Sequence, residues 1–242
     1  MQLTKKRVNA INPQQMKTIV IVGASRGIGK AIVERLAKDS NHQIIALSRN
    51  TKSMEDFTSL SNVKTFGFDL NKDVQEQASE IFKSIDCIDI LINNAGYLVN
   101  KPFGEITKED FDACYQVNVI GVMQTVQAAL PKMTKKGGHI VNISSMGGFQ
   151  GSMKFAGLTA YSTSKAAVCS FTEMFAEEYK DSNIKMNCLC LGAAQTEMLE
   201  EAFPGYVAPV SAEKMAEFIT DFSLNSHQWM NGKIIPVSLS TP

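Results

Sequence analysis

The chain has 242 residues, of which 44% are hydrophobic and 20% are charged, and its 24 basic side chains balance 24 acidic ones. Because the net charge is zero, no overall field attracts nucleic acid or an anionic membrane, and we expect neither as a partner. No run of about 18 apolar residues predicts a membrane span, and the N-terminal segment lacks the apolar stretch of a signal peptide. We therefore expect a cytoplasmic globular protein.

Short apolar runs rich in Val and Ile alternate along the chain with longer segments of helical periodicity. The runs predict seven strands, at 18–22, 43–47, 63–66, 88–92, 139–143, 185–190 and 233–237. Helices are predicted near 28–39, 51–60, 71–84, 108–133, 159–181 and 212–223. Strands without polar alternation are usually covered on both faces, so the pattern predicts an α/β fold. We expect a Rossmann-like, doubly wound, seven-stranded and mainly parallel sheet with helices on both faces.

The domain organisation follows from what interrupts this alternation. No linker, charge block or internal repeat separates a second domain, so we expect an N-terminal arm at 1–16 and a single domain at 17–242. The Pro- and Gly-bearing stretch at 196–211 predicts a loop. Five cysteines include Cys188 and Cys190, which a strand would turn to one face. Zinc needs more ligands than this spacing offers, so we expect reduced thiols and no metal site.

A glycine-rich turn, Gly-Ala-Ser-Arg-Gly-Ile-Gly at 23–29, follows the first predicted strand and leads directly into a helical segment. Glycines let the chain turn tightly, and they let a pyrophosphate approach the N–H groups at a helix N-terminus, where the helix dipole favours negative charge. The spacing G-x-x-x-G-x-G differs from the commoner G-x-G-x-x-G. The motif alone therefore fits either a dinucleotide site or a tight turn that binds nothing.

The end of the second predicted strand indicates which dinucleotide fits. A carboxylate at this position normally holds a free ribose 2′-hydroxyl, but the sequence has Leu47, Ser48 and Arg49. A guanidinium offers forked donors and a permanent charge, and Arg26 supplies a second one within the glycine turn. The two arginines favour NADP(H) over NAD(H). The alternative is that Arg49 is a solvated surface residue.

Tyr161 and Lys165 are spaced i,i+4 on a predicted helix, so a phenol and an ammonium share one face. A phenol with a pKa of about 10 is a poor acid or base at neutral pH, and a neighbouring cation lowers that pKa. The fifth predicted strand ends in Ser144 and Ser145, at the sheet edge where such folds bind ligands. Each feature alone also fits a structural role, whereas their coincidence favours a catalytic site.

From about Met16 to the C-terminus, the sequence resembles the short-chain dehydrogenase/reductase family of the single-domain Tyr-x-x-x-Lys type. The resemblance rests on the order and spacing of these motifs: GASRGIG, Asp69-Leu70 after the third strand, NNAG at 93–96, Asn118 in an apolar helical segment, NISS at 142–145, Tyr161-x-x-x-Lys165, and Leu-Gly-x-x-x-Thr at 191–196. The connection between Ser145 and Tyr161 is slightly longer than the family's usual one. Ser144 therefore remains an alternative to Ser145 as the catalytic hydroxyl.

The resemblance implies a catalytic tetrad. Tyr161 would exchange a proton with the carbonyl or alcohol oxygen, while Lys165 would lower the pKa of that phenol and hold the nicotinamide ribose. Ser145 would bind the reacting oxygen, and Asn118 would anchor a water that links Lys165 to solvent. The implied cofactor contacts are Gly23, Ser25, Arg26, Gly27, Ile28, Gly29, Ser48, Arg49, Asp69, Leu70, Asn94, Ala95, Gly96, Tyr161, Lys165 and Thr196.

The substrate pocket should lie between the 146–158 loop and a lid near 196–210. Its candidate side chains are apolar: Met146, Phe149, Met153, Phe155, Leu158, Phe203 and Tyr206. We therefore expect an NADPH-dependent carbonyl reductase acting on a 3-oxoacyl-type or other small apolar ketone. The alternatives are an NAD-dependent alcohol dehydrogenase working in the oxidative direction and a non-catalytic, cofactor-sensing scaffold. The helix at 159–181 is apolar around much of its circumference, which predicts a homodimer or homotetramer.

Overall fold

The computed structural model describes residues 16–133 and 137–239, so the predicted arm at 1–16 lies, apart from Met16, outside the described residues. Within the described ranges, the strands are β1 (Lys17–Val22), β2 (His42–Ser48), β3 (Val63–Gly67), β4 (Ile90–Asn93), β5 (Gly138–Ser145), β6 (Ile184–Leu191), β7 (Ala194–Gln195), β8 (Val210–Ser211) and β9 (Ile234–Val237). The α-helices there are α1 (Gly27–Leu36), α2 (Val74–Phe82), α3 (Lys108–Tyr115), α4 (Gly121–Met133), α5 (Thr159–Glu178), α6 (Glu197–Ala202) and α7 (Ala212–Asn225).

Seven strands form one sheet in the order β3-β2-β1-β4-β5-β6-β9, and every neighbouring pair is parallel. The chain builds outward from β1 to β3 and then returns to the other side of β1 with β4. Strand order therefore reverses between β1 and β4, and in sheets of this kind ligands bind in the crevice at the carboxyl ends of those strands. The doubly wound α/β fold predicted from the sequence is confirmed.

The two faces of the sheet carry separate hydrophobic cores, because successive side chains of a strand point to opposite faces. Ile19 and Ile21 of β1 pack into the core that includes residues of α1 and α7. Val20 and Val22 pack into the other core, which includes residues of α2 and α4. Each fully buried side chain of this size stabilises the fold by about 1.5–3 kcal/mol, so the continuous apolar run of β1 is explained by burial on both sides.

The segment predicted as one helix at 108–133 is divided into three parts. α3 begins with a capping box, in which the Thr107 side chain accepts from the Asp110 amide and the Asp110 side chain accepts from the Thr107 amide. A π-helical turn at Gln116–Ile120 then separates α3 from α4. Such turns insert one extra residue and re-aim side chains, often at functional sites. Here the extra residue turns Asn118 towards the backbone of Tyr97.

Two further differences from the sequence prediction concern short elements. The helix predicted near 51–60 is a 3₁₀ helix at Lys52–Ser59. The loop predicted at 196–211 contains α6, whose first turn is capped by the Thr196 hydroxyl, and β8, which pairs with β7. A helix of six residues has too few positions to reveal a helical period in the sequence. No helix among the described residues combines the length and the apolar character that crossing a membrane requires.

Candidate active site

A cavity of about 630 Å³ lies at the carboxyl edge of the parallel sheet, where the strand order reverses. Nearly all of the site residues predicted from the sequence line it: Gly23, Ser25, Arg26, Gly27, Ile28, Ser48, Arg49, Asp69, Leu70, Asn94, Ala95, Gly96, Ser145, Tyr161, Lys165 and Thr196. The two predicted residues that do not line it are Gly29 and Asn118, which lie behind its wall. The sheet thus brings the glycine turn and the Tyr-x-x-x-Lys helix to one space.

The glycine turn provides a cradle that side chains would fill. Gly23 has φ +87°, and a Cβ there would lie 2.6 Å from the backbone of Ala95. A Cβ on Gly29 would lie 1.9 Å from the Gly23 carbonyl oxygen, so α1 can begin against the turn only without a side chain at this position. Arg26, the N-cap residue of α1, makes no side-chain bond to the first-turn amides. This open, positively polarised helix end fits a pyrophosphate.

The two arginines predicted at the 2′-phosphate line the same cavity but have different surroundings. Arg26 forms a forked ion pair with Glu201 of α6, with distances of 2.5 and 3.3 Å between guanidinium nitrogens and carboxylate oxygens. Arg49 lines the main cavity and an adjoining one of about 370 Å³, where Arg26 and Glu201 are also found. The sequence analysis missed Glu201, because 175 residues separate it from Arg26. The acidic run at 197–201 was the only signal of it.

Tyr161 lies on the first turn of α5 and faces the cavity beside the end of β5. Burial raises the pKa of its phenol to about 12, and a hydrogen bond with the Ser145 hydroxyl opposes that rise. Burial has this effect because a low-dielectric surrounding disfavours the charged phenolate. The direction is opposite to the lowered pKa predicted from the sequence. At neutral pH this phenol is protonated.

Lys165 lies beside Tyr161, but its ammonium bonds another group. Its Nζ atom donates a 2.8 Å hydrogen bond to the Ile143 carbonyl oxygen and lies 5.9 Å from the centre of the Tyr161 ring. The ammonium thus follows the phenol by one helical turn, but its hydrogen bond goes to the strand. Burial lowers the pKa of Lys165 to about 8. The amine therefore carries its charge at neutral pH with little margin, which makes it sensitive to any group that enters the cavity.

The two serines at the end of β5 point in different directions, since neighbouring residues of a strand face opposite sides. Ser144 is buried, and its hydroxyl donates a 2.8 Å hydrogen bond to the Lys165 carbonyl oxygen. Ser145 is half-buried, and its Oγ accepts a 3.1 Å hydrogen bond from the Gly147 amide. Ser145 is also the serine whose hydrogen bond reaches the Tyr161 phenol. Of the two hydroxyls left open by the sequence, Ser145 is the one next to Tyr161.

Asn118 is completely buried on the π-helical turn. Its Oδ1 accepts from the Tyr97 amide at 2.8 Å, and its Nδ2 donates to the Tyr97 carbonyl at 2.8 Å and to the Ser164 hydroxyl at 2.9 Å. Both amide hydrogens are therefore used within the protein. In this arrangement Asn118 ties the loop after β4 to α5, which carries Tyr161 and Lys165.

The other end of the cavity is apolar. The predicted side chains that line it are Met146, Met153, Phe155, Leu158, Phe203 and Tyr206. Phe149 is the exception, because it packs against the buried cluster that contains Val119 and Val168. The sequence analysis missed Met198 and Leu199, which line the cavity from α6. Their helix was predicted as a loop, so no periodicity singled out these two positions.

The chain is similar to known proteins over the region that contains these motifs. The profile of the family described as short chain dehydrogenase matches residues 17–206. The chain is 31% identical to the 3-oxoacyl-(acyl-carrier-protein) reductase FabG of Aquifex aeolicus, over 93% of this chain and 96% of that protein. It is 34% identical to dehydrogenase/reductase SDR family member 6 of Xenopus laevis, over 82% of this chain and 79% of that protein.

A solved structure has the same fold. 4-Hydroxyisoleucine dehydrogenase complexed with NADH superposes with a TM-score of 0.81 at 24% identity, over 92% of this chain and 97% of that one. The family profile extends from the first residue of β1, through the glycine turn and the Tyr-x-x-x-Lys helix, and past α6. The chain therefore belongs to the short-chain dehydrogenase/reductase family.

Proposed function

We propose that this protein is an NADPH-dependent carbonyl reductase with a 3-oxoacyl-type or other small apolar ketone as its substrate. The observation that carries this proposal is the pairing of Tyr161 and Ser145 in one cavity. A protonated phenol and a hydroxyl meet there, within a wall that also contains the glycine turn. A non-catalytic scaffold needs the turn but has no use for a phenol and a hydroxyl converging in its pocket.

In the proposed reaction, Ser145 and Tyr161 hold the carbonyl oxygen of the substrate by hydrogen bonds. A reduced nicotinamide cofactor held at the glycine turn would supply the hydride for the carbonyl carbon. Negative charge then develops on the oxygen, and Tyr161 neutralises it by donating its phenolic proton, which leaves an alcohol and a phenolate. The ammonium of Lys165, one turn along α5, stabilises that phenolate through its positive charge. Asn118 acts as a positioning residue through its bonds to Tyr97 and Ser164.

The protonated form of Tyr161 is the one that reduction requires. A reductase needs a neutral phenol that can give up a proton, whereas a dehydrogenase needs a phenolate that can accept one. Burial raises the pKa of this phenol to about 12, so the proton donor is the form present at neutral pH. The FabG relative is named as a 3-oxoacyl reductase, which agrees with this direction.

The cofactor preference rests on Arg26 and Arg49. Their guanidinium groups line the cavity next to Ser25 and Ser48, whose hydroxyls are 2.8 Å apart at the ends of the turn and of β2. The ion pair of Arg26 with Glu201 is about half exposed, and exposed pairs of this kind contribute about 0–1 kcal/mol. A 2′-phosphate, which accepts forked hydrogen bonds from arginine, competes readily with such a partner. We therefore expect NADPH to bind more tightly than NADH.

The test is NADPH oxidation assayed with 3-oxoacyl thioesters and small apolar ketones, for the native chain and for Arg49→Ala. We expect turnover of at least one of these classes. We also expect Arg49→Ala to weaken NADPH binding at least ten-fold while leaving NADH binding within two-fold. Arg35→Ala is the matched control, because Arg35 lies on α1 outside the cavity and pairs with Asp221. Cofactor binding without turnover of any carbonyl would overturn the reductase, and equal losses for both cofactors would overturn the preference.

We further propose that residues 17–242 form one catalytic domain in which the region near 196–210, including α6, is the substrate lid. The domain would assemble as a homodimer or homotetramer. The large apolar side chains Ile120, Met174 and Phe218 are exposed on the described surface, which supports an interface between copies. Light scattering during gel filtration tests the assembly. A monomer at micromolar concentration would contradict it.

A further inference from the structure

Three cysteine thiols meet behind the active site, in the interface between α5 and β6. The Sγ atom of Cys169 lies 3.5 Å from that of Cys190 and 4.0 Å from that of Cys188. All three Sγ atoms lie within 4.8 Å of one another, and each residue is buried. Among the described residues, this is the one group of three or more His, Cys, Asp or Glu side chains placed closely enough to share an ion.

Local structure explains the convergence. Cys188 and Cys190 are two apart on β6, so both point to the same face of the sheet. α5 packs on that face, and Cys169 lies one turn after Lys165, with its Sγ also 3.5 Å from the Ser144 hydroxyl. The sequence indicated the Cys188 and Cys190 pair but not its third member. Nineteen residues separate Cys169 from Cys188, and only the packing of α5 joins them.

The sulfur separations match those of a metal site. Thiolate sulfurs lie about 2.3 Å from a bound metal, which places three of them about 4 Å apart around a trigonal ion. The Sγ atom of Cys169 lies 3.5 and 4.0 Å from the other two sulfurs, and all three lie within 4.8 Å of one another, so the separations are close to that value. The ligands also come from a helix and a strand in the core, which hold ligand geometry more rigidly than loops do. Small rotations of the cysteine side chains would place all three sulfurs at bonding distance from one ion.

The ligand set also limits the ion. Structural zinc sites are almost always four-coordinate, but no fourth Cys, His or carboxylate belongs to this group in the described part of the chain. The nearby Ser144 hydroxyl already donates to the Lys165 carbonyl. Soft sulfur ligands suit Cu⁺, Zn²⁺ and iron–sulfur clusters, and of these Cu⁺ accepts three sulfurs without a further ligand. We propose that Cys169, Cys188 and Cys190 form a buried three-sulfur site for Cu⁺.

Charge balance is consistent with this ion. Cu⁺ binding displaces protons from two of the thiols to solvent, while the third sulfur binds as a thiol, and no electron is transferred. The ion with two thiolates then has a net charge of −1. The Lys165 ammonium interacts electrostatically with all three thiols and supplies the compensating charge. A buried charge with such a partner costs much less than an isolated one.

The experiment titrates the reduced, full-length protein with Cu⁺ under anaerobic conditions, in competition with a coloured Cu⁺ chelator. The native chain should withdraw one Cu⁺ per chain, and X-ray absorption should show three sulfur neighbours around the ion. Cys169→Ser and Cys190→Ser should each weaken binding at least ten-fold. Cys87→Ser is the matched control and should bind as the native chain does, because Cys87 lies outside the group.

The experiment needs two controls, one for the access of Cu⁺ to the buried thiols and one for the folding of the variants. Protein refolded in the presence of Cu⁺ is compared with protein that was loaded after folding, because the thiols are buried and entry requires local opening. Circular dichroism identifies any variant that fails to fold, and Cys169→Ala then replaces Cys169→Ser. Three results would each overturn the proposal: no uptake by either route, native affinity in both folded serine variants, or tighter binding of Zn²⁺ in a four-coordinate site.

Discussion

Two polar clusters lie at opposite ends of β5, one at the amino edge of the sheet and one at the carboxyl edge. At the amino edge, the Nδ1 atom of His139 bonds the Ser223 carbonyl at 2.8 Å, and its Nε2 accepts from the Asn187 amide at 3.0 Å. Asn187 also donates to the Met230 carbonyl and accepts from the Lys233 amide. At the carboxyl edge, Ser145 and Tyr161 face a cavity.

The difference is in where the hydrogen-bonding groups are directed. Both ring nitrogens of His139 and the whole amide of Asn187 have protein partners, so this cluster has nothing left to offer a ligand. At the carboxyl edge, the Tyr161 phenol and the Ser145 hydroxyl bond each other but keep further capacity directed into the cavity. Both clusters are polar, but His139 and Asn187 are buried whereas Tyr161 and Ser145 are half-buried. The open hydrogen-bonding capacity is what distinguishes a site from a structural network.

The largest expected effect comes from removing the proton donor. Tyr161→Phe should lower kcat for ketone reduction by about 10²–10⁴-fold, because the developing oxyanion loses its acid. Steady-state kinetics at saturating NADPH measure this loss. Tyr179→Phe is the matched control, since Tyr179 stacks on Phe175 at the end of α5, outside the cavity wall. A Tyr161→Phe enzyme within three-fold of the native rate would show that the carboxyl-edge cluster is structural, like its counterpart.

The two neighbouring serines give the next effect and separate the two roles within one edge. Ser145→Ala should lower kcat by about 10²-fold, because one hydrogen bond to the developing oxyanion is lost. Ser144→Ala should instead lower the free energy of unfolding by about 1 kcal/mol, the value of a typical hydrogen bond. Kinetics and urea denaturation of both variants measure the difference. The reverse assignment of effects would make Ser144 the catalytic hydroxyl.

At the amino edge the expected effect is on stability alone. His139→Leu leaves the Ser223 carbonyl and the Asn187 amide without their partner, which should lower the free energy of unfolding by about 1–3 kcal/mol. The kcat of the folded variant should stay within two-fold of the native value. Urea denaturation and kinetics at a temperature where both proteins are folded test this. A lower kcat in the folded His139→Leu variant, which retains Tyr161, would show that the cluster at the amino edge also contributes to catalysis.

The last expected effect is a difference in pH dependence. Burial lowers the pKa of His139 from 6.5 to about 4, so the folded state resists its protonation and stability falls as the pH drops from 6.5 towards 4. Burial also lowers the pKa of Lys165 from 10.5 to about 8. The unfolded chain therefore binds more protons between pH 8 and 10.5, and stability rises with pH through that window.

At neutral pH the buried histidine thus costs no free energy through its charge, whereas the buried lysine does. Lys165→Met should remove the rise in stability between pH 8 and 10.5 and leave the acid limb unchanged. His139→Leu should remove the fall in stability between pH 6.5 and 4 and leave the alkaline rise unchanged. Urea denaturation across the pH range measures both limbs. An alkaline rise that persists in Lys165→Met would assign it to another group.

Most residues that line the cavity could be predicted from the sequence, because the motifs that contain them are local. The glycine turn, the serines after β5 and the Tyr161 and Lys165 pair each lie within a few residues of a strand or helix end. Parallel topology brings such ends to one edge whatever the details of packing. The choice of Ser145 over Ser144 required the structure, since the side that a residue faces depends on how β5 is oriented against α5.

The parts that sequence reasoning missed all depend on distant contacts. Glu201 reaches Arg26 only because α6 folds over the cavity. The direction of the Tyr161 pKa was wrong, because spacing shows the ammonium nearby but not the burial that disfavours the phenolate. Cys169 joins its two partners only through the packing of α5 on β6. In each case the decisive partner lies on another element.

The sequence by itself determined the doubly wound sheet, the family and the residue types at both ends of the cavity, because apolar periodicity and turn chemistry act over a few neighbouring residues. The tertiary structure decided which hydroxyl meets the phenol, which acid holds Arg26, and which polar groups are closed off or left open. These are matters of direction and burial. Side-chain direction and desolvation are set by whatever packs against a residue, and distant parts of the chain supply that packing.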